Sequence, residues 1–209
     1  MGLENLTNYE KPIIGVIGAA VPLPQYDEKE ARKLGYELRK LVERRGTLFT
    51  GGVPGIGFDF YQGIVDYSIE KNVSDKFFVL FPEGQMGPPE EYFELAKKTK
   101  NCILRIEKAG KDMEERRTHL ARIADALIII NGAEGTIDEA LKGLLLRKQL
   151  LCLQNSGGAA EVIAKLKKGE IERIPLEIDY DLIRLHNSTE EIVNYLSNSN
   201  FYKSYTEDK

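Results

Sequence analysis

Short stretches with no polar face alternate along this chain with longer segments that are apolar on one stripe only, and nothing else in the sequence narrows the fold so far. Ile13-Ile14-Gly15-Val16-Ile17 is apolar on both sides, as a strand covered by helices on both faces of a parallel sheet must be. After Pro22 and Pro24, Asp27 with Glu30 reads as a helix start, and Ala31, Leu34, Leu38, Leu41 and Val42 recur at helical spacing up to Gly46. Leu48-Phe49-Thr50 is a second strand. A helix over residues 58–71 follows, with Phe60, Tyr61, Ile64, Val65 and Ile69 as its buried stripe.

The alternation continues. Residues 77–81 form a third strand, and Pro89 is placed as the first residue of a helix through Tyr92, Phe93 and Leu95. A fourth strand covers 102–106, a helix carries Met113, Leu120, Ile123 and Ala124, and a fifth strand covers 126–130. A helix with Ile137, Ala140, Leu141, Leu144 and Leu145 leads to strands at 150–153 and 182–185, separated by a helix around Val162, Ile163 and Leu166. Ser188 with Glu191 reads as a capping box for a last helix through Ile192, Val193 and Leu196. The fold predicted is α/β, a Rossmann-like doubly wound parallel sheet of about seven strands, whose ligands bind beyond the carboxyl ends of the strands. The 209 residues suit one domain over 11–197, between a flexible N-terminus (1–10) and a polar tail (198–209) carrying Phe201, Tyr202 and Tyr205.

Composition excludes several classes. With 29 Lys and Arg against 33 Asp and Glu, the net charge of −4 argues against nucleic acid bound by bulk positive charge. Cys102 and Cys152 sit in apolar runs, where a thiol behaves as a small hydrophobe, and neither a CxxC nor a Cys/His pair at ligand spacing suggests a metal. Residues 1–11 lack the apolar core of a signal peptide, and no apolar run reaches the ~20 residues of a membrane span. A cytoplasmic protein that engages no membrane is the expectation.

The glycines cluster where strands turn into helices. Such loops offer backbone N–H groups and a helix N-terminus to an anion, and a Cβ would hold a phosphate away. The same loops serve equally well as tight turns that bind nothing. The dinucleotide fingerprint is missing: the first strand gives Gly15-Val16-Ile17-Gly18-Ala19-Ala20, and the second ends in Thr50-Gly51-Gly52 where an acidic residue would hold ribose. Neither GxxxxGK[ST] nor GxSxG occurs.

What remains is more specific. Met113-Glu114-Glu115-Arg116-Arg117, Ala124-Asp125-Ala126 and Asn131-Gly132-Ala133-Glu134-Gly135-Thr136-Ile137-Asp138-Glu139 together resemble the signature of the LOG family. That family carries a Met-x-x-Arg-[Lys/Arg] helix, an Ala-Asp-Ala strand and a Pro-Gly-Gly-x-Gly-Thr-x-x-Glu loop. Thr50-Gly51-Gly52-Val53-Pro54-Gly55-Ile56-Gly57 is similar to its other Gly-rich loop, and Val16-Ile17-Gly18-Ala19-Ala20 to its first. The resemblance spans roughly residues 13–155, and it extends to the molybdenum-cofactor carrier proteins related to the family.

The resemblance implies a nucleotide-binding domain, commonly a homodimer or larger, that needs no cofactor. It implies hydrolysis of the N-glycosidic bond of a nucleoside 5′-monophosphate to free base and ribose 5-phosphate, classically of cytokinin ribotides. Arg116 matches the catalytic arginine and Glu139 the catalytic glutamate. Gly132, Ala133, Gly135 and Thr136 match the phosphate loop, and Gly18, Ala19, Gly51, Gly52, Gly55, Gly57 and Arg117 complete the expected binding set. The chemistry is coherent: a carboxylate stabilises the charge that builds on the sugar, and an arginine holds phosphate or fixes that carboxylate. A helix beginning in the loop puts Thr136 and Glu139 on one face. A carrier or sensor using the same pocket without turnover is the alternative, and sugar transfer between bases a third reading.

This chain departs from the family at two positions and carries a charge at a third, which the family leaves variable. The proline is Asn131, the second glycine is Ala133, and Glu134 sets a negative charge beside the expected phosphate unless it points to solvent or pairs with Arg116, Arg117 or Lys142. His119, on the Arg116 helix, and His186 are the only histidines, and residues 82–88 are placed to form either a pocket rim or a plain loop. Some members of the family carry the label lysine decarboxylase, but no lysine here sits in a Schiff-base setting.

Overall fold

The computed structural model describes residues 9–99, 104–174 and 177–206. Among these described residues seven strands and eight α-helices follow in chain order: β1 (Ile13–Ile17), α1 (Glu28–Leu41), β2 (Thr47–Thr50), α2 (Ile56–Lys71), β3 (Phe77–Phe81), α3 (Glu90–Ala96) and β4 (Arg105–Lys108) come first. Then follow α4 (Met113–Ile123), β5 (Ala126–Ile130), α5 (Glu134–Leu145), β6 (Gln149–Leu153), α6 (Gly158–Lys168), β7 (Ile183–His186), α7 (Thr189–Asn198) and α8 (Asn200–Thr206). The sheet runs β4-β3-β2-β1-β5-β6-β7, and every neighbouring pair is parallel. The chain winds outward from β1 in one direction and from β5 in the other. The order therefore reverses between β1 and β5, where an open parallel sheet leaves a crevice at its carboxyl edge.

Side chains alternate across the sheet, which divides the core in two. Ile14, Val16, Ile128 and Leu151 pack under α1, α2, α3 and α7, and Ile13, Ile17, Ile129 and Cys152 pack under α4, α5 and α6. On the first side, α1 and α2 cross at glycines. A Cβ on Gly35 would stand 1.9 Å from the Phe60 carbonyl oxygen, and one on Gly63 would stand 1.8 Å from that of Arg32. The single-domain Rossmann-like α/β fold expected from the sequence is the fold observed.

Its details differ at several points. Ile69, assigned to the buried stripe of α2, is 49% exposed, and Phe93 also reaches the surface. The fourth strand lies at 105–108 rather than 102–106; Cys102 falls outside the described residues. Three of the four residues of Arg-Ile-Glu-Lys are charged because β4 is an edge strand, and charge there discourages pairing with another chain. Pro89 occupies the cap position one step before α3. The capping box of α7 is displaced: Ser188 accepts from the Glu191 N–H at 3.3 Å, but the Glu191 carboxylate reaches back to the N–H of Asn187 at 2.7 Å. Within the stretch expected as a polar tail, 200–206 forms α8, and the Tyr202 hydroxyl sits against the carbonyl oxygens of Leu41 and Arg45 at 2.9 and 2.5 Å. Of the expected flexible N-terminus, residues 1–8 lie outside the described residues.

Candidate functional site

Loops after β1, β2 and β5 meet at the carboxyl edge because glycines let backbone touch backbone. A Cβ on Gly18 would lie 2.6 Å from the carbonyl oxygen of Ile130. Gly55, at φ +69°, backs onto the carbonyls of Ala19 and Ala20, and the Ile56 N–H donates to Ala19 at 3.3 Å. Gly52, at φ +65°, lies against Val79 and Phe81, and Gly57 against the hydroxyls of Thr50 and Tyr92. Tyr92 donates in turn to the Val53 carbonyl at 2.8 Å, which ties the β2 loop to α3.

Arg116 and Glu139 come together beneath this edge. Asp112 caps α4 by accepting from the Glu115 N–H at 2.9 Å, which sets Arg116 in the first turn. Its guanidinium Nη1 donates to Glu139 Oε1 at 2.8 Å, and both side chains are more than nine-tenths buried (5% and 7% exposed). The guanidinium lies against Gly51, where a Cβ would stand 2.8 Å from Nη1. Arg116 Nε is buried without a partner. Burial pushes the Glu139 carboxyl above the usual carboxylate range. Arg116 opposes that most strongly and Arg117 next, but the balance stays upward. Thr136 and Glu139 are both buried, as residues sharing one face of α5 should be.

Arg117, expected to meet phosphate, lies over Gly135 within an ion network. It approaches Asp138 at 3.4 Å and Glu114 at 3.8 Å, and Lys142 holds the same two carboxylates at 2.6 Å. Glu134 is exposed, and so is Ala133, which starts α5 without a side-chain cap. The negative charge in the loop therefore faces solvent.

Asn131 is the residue whose importance sequence reasoning missed. It was legible only as a departure from the family proline. At φ +49° it holds a left-handed conformation, which asparagine tolerates and proline, fixed near −65°, cannot adopt. Its side chain accepts from the Leu23 N–H at 2.9 Å and donates to the Ser156 carbonyl at 2.5 Å, and its N–H donates to Ser156 Oγ at 2.7 Å. One buried side chain thus joins the loops after β1, β5 and β6. The carbonyls of Gly132 and Asn131 accept from the N–H groups of Ala159 and Ala160 at 2.9 and 3.0 Å, so the start of α6 is sealed by this loop.

The remaining candidates fall outside this cluster. His186 ends β7 and stacks obliquely on Tyr195. His119 is half-buried on α4, with Nδ1 unpartnered. Residues 82–88 form a loop held by a Glu83 N–H to Gly110 carbonyl bond of 2.8 Å, with Met86 fully exposed. Among the described residues no group of three His, Cys, Asp or Glu is placed to hold a metal, and no helix is long and apolar enough to cross a membrane.

No protein-family model matches the chain, and no curated protein sequence does. Solved structures are similar in fold. The X-ray structure of TM1055 aligns at 22% identity with a TM-score of 0.62, covering 90% of this chain and 99% of that one. The molybdenum cofactor binding protein of the phototrophic bacterium Rippkaea orientalis aligns at 19% identity and a TM-score of 0.61, over 89% and 95% of the two chains. DNA processing protein A of Helicobacter pylori, solved for its single-stranded DNA binding mode, aligns at 15% identity and 0.59, over 93% and 83%. At these identities the likeness is one of fold, and function has to be argued from the site.

Proposed function

We propose that the protein binds a nucleoside 5′-monophosphate across the carboxyl ends of β1, β2 and β5 and hydrolyses its N-glycosidic bond, as its resemblance to the LOG family implies. The observation that carries this reading is the buried Arg116–Glu139 pair. A buried ion pair adds little stability over apolar residues of the same volume, so retaining one at the ligand edge of an α/β sheet points to chemistry. The phosphate is assigned to Gly132, Gly135, Thr136 and the uncapped start of α5, with Ala133 at the rim and Arg117 beside Gly135. Gly18, Ala19, Gly51, Gly52, Gly55 and Gly57 shape the opposite wall.

In this mechanism the C1′–N bond breaks with its electron pair passing to the base, which takes up a proton. Positive charge builds on the ribose beside the Glu139 carboxylate. Water adds to C1′ and gives up a proton as it does so, with Glu139 positioned to accept it. Arg116 opposes the upward push that burial gives that carboxyl. Water is the only co-reactant, and no cofactor enters the balance.

A second reading, a carrier that binds without turnover, is favoured by one observation. The Asn131 and Gly132 carbonyls are committed to α6, which fixes the loop in a form a proline-bearing loop cannot take. The name of the Rippkaea orientalis protein fits this reading. The net charge of −4 argues against the nucleic acid that the name of the Helicobacter protein would suggest. Assembly as a homodimer or larger belongs to the proposal, as does a cytoplasmic location.

The test incubates the purified chain with adenosine, guanosine, cytidine and uridine 5′-monophosphates and assays free base. Release that Glu139→Gln abolishes supports hydrolysis. Saturable binding of a monophosphate without release, unchanged in Glu139→Gln, selects the carrier, and neither result overturns both.

A further inference from the structure

A second cavity lies in the layer opposite the Arg116–Glu139 pair. Beyond the carboxyl ends of β5, β6 and β7, on the α1 side of the sheet, a cavity of about 170 Å3 is lined by Ile130 and Leu153 together with Gln25, Asn155 and Asn187. Ile130 and Leu153 belong to the core face that α1 and α7 cover, so the cavity has an apolar floor. Its rim carries these three side-chain amides beside the carboxyls of Asp27 and Glu30. A cleft of about 330 Å3 adjoins it, shares Gln25 and Asn155, and adds Gln154.

These amides are ordered relative to one another. Asn187 Oδ1 accepts from Gln154 Nε2 at 2.9 Å and from Asn155 Nδ2 at 3.2 Å. That leaves Gln154 Oε1 and Asn155 Oδ1 as acceptors, with the Asn187 amide as a donor whose one described contact is a 3.5 Å approach to Glu191. Gln25 completes the set at φ +74°, an uncommon conformation for a residue with a Cβ. It is held against the Gly157 backbone, where a Cβ would stand 2.8 Å from its Oε1. An apolar floor with amide donors and acceptors at its rim and in the adjoining cleft suits a flat ring with apolar faces and a polar edge. Asn and Gln read heterocyclic bases in this way, through paired donor and acceptor groups.

Charge narrows the class further. In the larger cleft Lys165 and Lys168 are balanced by Glu161 and Glu170, while the smaller cavity carries Asp27 and Glu30 without a compensating cation. We propose that this cavity is a second ligand site, separate from the phosphate loop, that takes an uncharged heterocyclic base or its nucleoside in preference to a nucleotide.

The test titrates the 15N-labelled full chain with adenosine, guanosine, cytidine and uridine, following the side-chain NH2 signals of Gln25, Gln154, Asn155 and Asn187. At least one nucleoside is expected to shift them saturably. Asn187→Ala should weaken that binding by about tenfold or more, Asn155→Ala, which leaves the β7–α7 connection intact, should also weaken it, and Glu139→Gln should leave it unchanged. The proposal is overturned if no nucleoside moves these signals at millimolar concentration, if both amide variants bind as the parent does, or if a 5′-monophosphate binds here more tightly than its nucleoside.

Discussion

The Arg116 guanidinium and the Glu139 carboxylate meet at 2.8 Å with almost no exposure, under a glycine that leaves no room for a Cβ. Such a pair is costly to break and weakly stabilising to keep. Glu139→Leu alone strands the arginine and is expected to cost about 3–5 kcal/mol, whereas Arg116→Met with Glu139→Leu should unfold within a few kcal/mol of the parent, or above it. Urea denaturation of the three proteins checks this. A double variant as unstable as the single one would make the pair structural.

The Glu139 carboxyl should titrate above the ordinary 4.5, because burial outweighs Arg116 and Arg117. Asp138 adds to the upward shift, so Asp138→Asn should move the titration down, and Arg116→Met should move it further up. With the folded value above the unfolded one, the folded state binds the extra proton. Stability from this group is therefore greatest below the unfolded pKa and falls as pH rises through the folded value. Carbon-13 carboxyl titration reads the shift directly, and in the proposed hydrolysis the acid limb of the rate profile should follow it.

Asn131→Pro introduces the proline of the LOG-family pattern that the sequence resembles and should be among the most damaging single changes. It demands a φ the loop does not have and removes the bond to Ser156 Oγ, so a loss beyond about 3 kcal/mol is expected. Asn131→Gly keeps the backbone form but leaves the Leu23 N–H and Ser156 carbonyl without their partner, for about 1–3 kcal/mol. Thermal melts of both variants test the order. Proline tolerated as well as glycine would contradict the left-handed assignment.

Much of this is legible in the sequence. The strands β1, β3 and β5 are apolar on both faces, as strands covered by helices on both sides must be, and their observed bounds match those expected from the sequence. The edge strand β4 was misplaced because charge hides the alternation there, and Ile69 because periodicity marks a stripe without saying how far a neighbour covers it. Arg116 and Glu139 were found through a motif, but their mutual bond joins residues on different helices and no local pattern encodes it. Asn131 shows the same limit: the sequence marks it as a substitution, and only the positions of Leu23 and Ser156 show what it does.

Gly51→Ala should separate chemistry from folding. Its Cβ would fall 2.8 Å from Arg116 Nη1, the end of a long side chain, so the guanidinium rather than the sheet has to move. The expected signature is a modest stability loss, about 1–3 kcal/mol, with an upward shift of the Glu139 titration and, in the proposed hydrolysis, a large loss of base release. Full activity would remove Arg116 from the mechanism.

Gly35→Ala and Gly63→Ala should each destabilise by at least about 1–3 kcal/mol, because the added methyl overlaps the backbone of the facing helix rather than a mobile side chain. Gly84→Ala, whose Cβ would approach nothing closer than 3.4 Å, should stay within about 0.5 kcal/mol. Melting temperatures of the three variants make the comparison.

The glycine crossing has a mechanical meaning as well. With backbone set on backbone there is no layer of side chains to shear, so α1 and α2 travel as one slab. Their starts are joined again where the Tyr26 hydroxyl donates to Asp59 at 2.6 Å. The two glycine loops that feed these helices are tied to each other, and through Leu23 and Asn131 the first is tied to the loop after β5 as well, so the walls of the crevice form one frame.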